Sequence, residues 1–313
     1  MQDVPETGAT ASPSGRVVAS FGTHALVALE NGEQRECSIR GKRLRPVAGD
    51  VVAVTTDKGS HPVINRIEPR RTELARQTGR AGRQILAANV DLLIVMVAPE
   101  PPPEPGIVDR YLATAEAMGV GAVLVWNKMD LGAAERPGWL SEFQALGYPV
   151  LETSAAEGTG ITALSERLAR HTAILVGQSG VGKSTLLNRL IGETVARVES
   201  ISGKSREGRH TTTTARLYNL PGGGALIDSP GVRDFHLQPL PPERIPALFR
   251  EIREAAVDCR FNDCTHREEP GCNVLAAVAA GQISARRHRS YRRLYEQMLT
   301  LAERNPALFG SSR

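Results

Sequence analysis

The chain is expected to be multidomain, with an N-terminal all-β barrel, a central parallel α/β unit and a mainly helical C-terminal end. Three observations carry that expectation. Five short β-type segments separated by turn residues fill Gly15 to about Thr72. Further on, nearly continuous apolar runs such as Val90–Val97 read as strands buried on both faces of a parallel sheet. Past residue 236, three cysteines and a histidine fall between Cys259 and Cys272, followed by an amphipathic helical pattern. At 313 residues the chain is long enough for two or three domains, and an apolar fraction of 41% suffices for their cores.

Composition excludes some classes. No apolar run approaches the ~20 residues that span a bilayer, so no membrane partner is expected. The opening stretch MQDVPETGATASPSG is polar and lacks a basic start, so residues 1–14 read as a disordered tail rather than a secretion signal. Net charge is only +4, but basic residues cluster at 40–45, 66–83, 197–210 and 286–293, which points to a polyanionic partner. The four cysteines do not form a disulfide framework, because three are grouped and Cys37 stands alone. A reducing, cytoplasmic compartment and a bound metal follow. Nothing implies an obligate oligomer, and a monomer is expected.

Between Gly15 and about Thr72 the strand candidates are 16–21, 25–29, 36–40, 50–54 and 62–67, with turns at 21–23, 31–32 and 58–60. Five strands in so short a span suit a small closed barrel. An OB-fold is the natural candidate, with an SH3-like barrel as the alternative. Such barrels bind nucleic acid through a basic face, here Arg40, Lys42, Arg43 and Arg45. The arginine-rich stretch 66–83 reads either as a linker or as a segment touching RNA phosphates.

Beyond the buried strand 90–97 and a proline-rich loop, Ile107–Met118 reads as a helix stopped at Gly119. A second buried strand, Ala122–Trp126, runs into Asn127-Lys128-Met129-Asp130. This N-K-x-D string suits guanine: the Asp130 carboxylate accepts from N1–H and the exocyclic amine together, which adenine cannot offer. Another strand, 148–152, leads to Thr153-Ser154-Ala155, which matches a base-supporting loop. Only then comes Gly177-Gln178-Ser179-Gly180-Val181-Gly182-Lys183-Ser184, which fits G-x-x-x-x-G-K-S/T between a strand (173–176) and a helix (185–191). The glycines let backbone N–H groups turn toward phosphate oxygens, Lys183 reaches the β- and γ-phosphates, and Ser184 binds Mg²⁺. Thr185 opens the helix.

Residues 206–214, REGRHTTTT, resemble a first switch, with Thr212 or Thr213 as the Mg²⁺-sensing threonine. A short strand at 225–227 then enters Asp228-Ser229-Pro230-Gly231, a D-x-x-G motif: Asp228 holds the Mg²⁺ water shell and the Gly231 N–H contacts the γ-phosphate. The usual order of these parts is rotated, because N-K-x-D and T-S-A come first. The central unit is therefore expected to be a circularly permuted P-loop GTPase spanning 74–235, with the D-x-x-G switch running directly into the last domain.

That last domain, 236–313, carries Cys259-x4-Cys264-x-His266-x5-Cys272. Three thiolates and one imidazole make a closed tetrahedral site for one structural zinc, with no open position for catalysis. Tyr291, Leu294, Tyr295, Met298 and Leu299 form a helical stripe expected to pack on this module, beside Arg286, Arg287, Arg289, Arg292 and Arg293, which are expected to meet RNA phosphates.

With the barrel at 15–73, the permuted motif order and the metal motif, the chain resembles the bacterial small-subunit ribosome biogenesis GTPases, the RsgA or YjeQ family, from about Gly15 to Leu301. The resemblance implies an OB-fold, a permuted GTPase and a zinc domain, and a partner in the small ribosomal subunit and its rRNA, where GTP is hydrolysed to GDP late in assembly. Ras-like enzymes orient the attacking water with a Gln after D-x-x-G; Val232 stands there, so slow hydrolysis by the free protein and strong stimulation by the subunit are expected. The family carries a histidine a few residues beyond D-x-x-G; Pro239 occupies the aligned position, and His236, three residues earlier, is the catalytic candidate beside Lys183. The alternatives are an RNA-binding scaffold with negligible turnover and a GTP-sensing regulator with no ribosomal role.

Overall fold

The computed structural model describes residues 14–41, 43–55, 61–78, 82–132, 136–192, 215–229 and 237–309. The expected tail at 1–14 lies outside them except for Ser14. Among the described residues, five strands form the N-terminal barrel: β1 (Ser14–Phe21), β2 (His24–Leu29), β3 (Gln34–Ile39), β4 (Val51–Thr55) and β5 (Val63–Ile67). They run in the order β1-β2-β3-β5-β4, and β4 pairs back to β1, so the barrel closes. Only β3 and β5 are parallel within it. Strand alternation turns Val17, Ala25, Val27, Cys37, Val52, Val54 and Ile64 inward, which builds one small core.

The arginine-rich stretch 66–83, which reads either as a linker or as a segment touching RNA phosphates, runs into a hairpin, β6 (Glu73–Thr78) and β7 (Gly82–Ala88). The expected boundary between 73 and 74 falls within its first strand. Leu74, Ala75, Ala87 and Ala88 are buried, so one edge of the hairpin belongs to the core.

The central sheet follows: β8 (Leu92–Val97), α1 (Pro105–Met118), β9 (Gly121–Trp126), α2 (Gly138–Ala145), β10 (Val150–Glu152), α3 (Ile161–Leu168), β11 (Thr172–Gly177), α4 (Lys183–Ile191), β12 (Arg216–Asn219) and β13 (Ala225–Asp228). Its spatial order is β10-β9-β8-β11-β13-β12, parallel except for β12. Strands β8 and β11 are buried along their whole length. One face is covered by α1 and α2, the other by α3 and α4, which gives two apolar layers around the strands. The barrel continues the sheet through Ala19 of β1, which pairs with Arg216 of β12.

The C-terminal part contains α5 (Arg250–Ala256), α6 (Asn273–Ala279) and α7 (Ala285–Arg304). Tyr291, Leu294, Tyr295 and Met298 of α7 are buried in a core shared with Phe249, Ile252, Val274 and Cys272, with Leu299 packed against it. The expected RNA role of Arg286 and Arg287 needs correction. Arg287 is 2% exposed, with its side chain between Glu251 of α5 (2.7 and 2.9 Å) and Asp109 of α1 (2.8 Å). Arg286 bridges Asp109 and Glu142 of α2 at 2.8 Å each. Burial works against the Arg287 charge, but the two carboxylates raise its pKa above the ordinary arginine value. These arginines join the helical domain to the sheet. No helix among the described residues is long and apolar enough to cross a membrane.

Candidate nucleotide and metal sites

The carboxyl ends of β8, β9 and β11 bring the separated motifs together, at the edge where parallel α/β sheets bind ligands. Asn127, at the end of β9, is 1% exposed and ties three loops. Its Nδ2 donates to the Val181 carbonyl at 2.9 Å, 54 residues away in the chain. Its Oδ1 accepts from Thr153 Oγ1 at 2.9 Å and from the Ala155 amide at 3.0 Å. Losing either side of such a buried amide leaves a polar group stranded. Gly182 has φ +98°, and a side chain there would strike Asn127 Nδ2, so glycine is required on steric and conformational grounds. A side chain at Gly177, φ +144°, would likewise strike the Met96 carbonyl oxygen.

Lys183 opens α4, and its ammonium donates to the carbonyls of Gly177 and Gln178 at 2.7 and 2.6 Å, arching back over the loop. Gln178 is half-buried, Ser179 and Gly180 are exposed, and Val181 is buried in the core under α4. Ser184 and Thr185 are exposed on the first turn of α4. Asp228 is exposed at the end of β13, which pairs with β11. Asp130 and Met129 are exposed, while Ser154 Oγ donates to Asp130 Oδ1 at 2.5 Å. Lys128 adopts φ +67° and donates to the Glu100 carbonyl at 2.9 Å. Thr212, Thr213, Gly231, Val232 and His236 lie outside the described residues.

In the helical domain, the ligand atoms of Cys259, Cys264, His266 and Cys272 lie within 4.8 Å of one another. Cys259 and Cys272 Sγ are each 3.5 Å from His266 Nδ1 and 3.8 Å from each other. A tetrahedron with metal–sulfur bonds of about 2.3 Å and a metal–nitrogen bond of about 2.0 Å has edges of about 3.8 and 3.5 Å. The donor set fits a tetrahedral ion. Burial first, with the neighbouring thiols, pushes the Cys264 thiol up to about 12 and the Cys272 thiol upward, and burial lowers the imidazole of His266; a dication would reverse the penalty for the thiolates. The shell around the cluster is ordered by hydrogen bonds. His288 Nε2–H donates to the His266 carbonyl (2.8 Å), the Tyr291 hydroxyl donates to the Thr265 carbonyl (2.6 Å), and Glu269 accepts from the Thr265 and Arg267 amides (2.7 and 2.9 Å).

Of the basic barrel residues, Arg40, Arg43 and Arg45 are exposed, and Lys42 lies outside the described residues. Arg45, Arg76 and Arg83 line a cavity of about 720 Å³ between barrel and hairpin that reaches Ser229. Arg76 and Arg83 sit on the hairpin, in the stretch whose sequence reads equally as a linker or as a segment touching RNA phosphates; its first strand, ELARQT, carries no apolar alternation that would announce it.

A phosphate loop, a guanine-type motif and a base loop meeting on one sheet edge, in rotated chain order, define a circularly permuted GTPase. The family model described as RsgA GTPase matches residues 67–238. The chain is 42% identical over 289 residues to the small ribosomal subunit biogenesis GTPase RsgA of Azotobacter vinelandii, covering 90% of this chain and 84% of that one. It is also 42% identical over 286 residues to the protein of the same name from Pseudomonas putida, covering 89% and 83%. Among solved structures, YjeQ from Thermotoga maritima superposes with a TM-score of 0.73 at 32% identity, covering 92% of this chain and 98% of that one. YloQ, a circularly permuted GTPase, shares the fold with a TM-score of 0.74 at 22% identity, covering 95% and 98%. The chain belongs to the RsgA GTPase family and is a GTP-hydrolysing enzyme.

Proposed function

We propose that this GTPase binds the small ribosomal subunit through its rRNA, acts late in subunit maturation, and hydrolyses GTP faster when bound there. The observation that carries the reading is Asn127, whose one side chain joins the guanine motif, the base loop and the phosphate loop. The printed names of the relatives supply the ribosomal context.

In this reading Asn127, Lys128, Met129 and Asp130 with Thr153, Ser154 and Ala155 hold guanine, and Gly177 to Thr185 with Gly231 hold the phosphates. Lys183 leaves its two loop carbonyls to neutralise the β- and γ-phosphates. Ser184 and Asp228, hard oxygen donors on adjacent β11–α4 and β13 units, suit Mg²⁺, with Thr212 or Thr213 completing the set. Bound Mg²⁺ offsets charge on the phosphates. His236 is the candidate for positioning the attacking water. The Cys₃His cluster takes Zn²⁺, the metal its donors favour, in a structural role. Arg40, Lys42, Arg43 and Arg45 bind rRNA phosphates, so affinity falls as salt rises. The working division is barrel 15–73, GTPase 74–235 and zinc domain 236–313, in a cytoplasmic monomer.

Co-sedimentation with purified small subunits tests the assignment of partner. Retention with a non-hydrolysable GTP analogue and release with GDP are expected. Equal absence from the subunit pellet in both states would remove the ribosomal assignment.

A further inference from the structure

Helix α4 begins at the phosphate loop and ends beside the base loop, and Arg189, in its last turn, spans the gap. Arg189 Nε donates to the Ala155 carbonyl at 3.2 Å, and a terminal nitrogen donates to the Ala156 carbonyl. Gly158, at φ +92°, lies under the guanidinium; a Cβ there would sit 4.0 Å from Arg189 Cζ. A peptide unit is planar and trans, so a carbonyl turned toward α4 turns the following N–H away from it. The Glu157 amide, the partner of the Ala156 carbonyl in its peptide plane, donates to Ser154 Oγ at 3.1 Å. That hydroxyl donates in turn to Asp130. The Ala156 amide, in the plane of the Ala155 carbonyl, has no hydrogen-bond partner among the described residues.

The loop 153–158 is thus held from two sides. Asn127 holds the Ala155 amide, and Arg189 holds the two carbonyls that follow it. We infer that Arg189 is a positioning residue for the guanine base: it fixes the loop so that the Ala156 N–H is presented to the 6-oxo group. The inference rests on the nucleotide assignment above and deepens it. Asp130 reads N1–H and the 2-amino group, and a fixed amide donor reads the 6-oxo oxygen. Adenine carries a donor at that position, so a rigid N–H opposes it. Because Arg189 and Lys183 share one short helix, the phosphate and base subsites are also braced on a common rod.

Arg189→Met and Arg189→Lys test this by competition of GDP, IDP and ADP against a fluorescent GDP derivative. Arg189 is exposed, so both variants should fold, and the Lys variant carries the test if the Met variant does not. IDP keeps the 6-oxo group and lacks only the 2-amino group. The Met variant should weaken GDP and IDP in parallel by roughly tenfold, the worth of a charge-assisted hydrogen bond, while ADP changes little. Lys, with one donor in reach of one carbonyl, should fall between Arg and Met. Equal losses for all three nucleotides, an unchanged GDP affinity, or a Lys variant off that scale would overturn the role. Wild-type protein that fails to prefer GDP over ADP would instead count against the nucleotide assignment.

Discussion

The barrel and the helical domain grip the central sheet by different means. The barrel is joined largely through backbone and single polar contacts: Ala19 with Arg216, Arg16 with Thr172, the Ala88 amide with the Ala48 carbonyl, and Asn89 Nδ2 with the Gly49 carbonyl. The helical domain is joined by buried charge. Arg287 lies between Asp109 and Glu251, Arg286 between Asp109 and Glu142, and Arg250 stacks 3.9 Å over the Tyr148 ring while pairing with Glu116. Distributed backbone contacts tolerate a single loss, whereas a buried charge network does not, because one deletion strands its partners. The grips also differ in place. The barrel meets the β11–β12 side, and the helical domain meets α1 and α2, the helices packed on the β8–β10 half of the sheet. The helical domain and that half of the sheet should therefore move as one body.

Metal removal should separate the two regions most. Structural zinc supplies on the order of 10–16 kcal/mol in small zinc peptides, so chelation should expose the helical domain to protease while the barrel stays protected. Equal protection of both regions would show that the cluster is dispensable. Next, Arg287→Met should cost about 3–5 kcal/mol in denaturant unfolding, since it leaves Asp109 and Glu251 buried without their partner. A smaller effect is expected on the barrel side, where Thr172→Val should cost about 1 kcal/mol for one lost hydrogen bond. If the two variants cost the same, the contrast between the grips does not hold.

The smallest effect is on pH dependence. Burial opposes the Glu116 charge, but hydrogen bonds from Arg250 and Tyr148 outweigh it and hold the carboxyl below its ordinary value. A carboxyl whose pKa is lower folded than unfolded stabilises above the unfolded value, about 4.3, and loses that contribution as pH falls through the folded one. The stability gap between wild type and Glu116→Gln should therefore narrow from pH 6 to pH 3.5, measured by denaturant midpoints. A constant gap would show that the charge of Glu116 does not matter.

What the sequence made legible follows the range of the interactions. Asn127, Lys183 and the four residues of the Cys₃His cluster sit in short motifs whose spacing carries their chemistry. The strands at 92–97 and 172–177 announce themselves because both faces are buried. The hairpin at 73–88 does not, since Leu74 is a lone large apolar residue in its first strand and is buried by tertiary packing. Helix α2 is similarly quiet, with Leu140 and Phe143 as its buried residues. Arg286 and Arg287 read as surface charges because arginine usually is exposed, and their acidic partners lie 36 to 178 positions away. Arg189 gave no signal, because its partners are backbone carbonyls of another loop.

The most direct test of the functional account is steady-state GTP hydrolysis, with ATP as control, by the protein alone and with purified small ribosomal subunits. The account predicts slow turnover alone, selectivity for GTP, and a large rise with subunits, for which partners that complete a GTPase site set a ceiling of about 10⁵-fold. A GTP hydrolysis rate that subunits leave unchanged would contradict it.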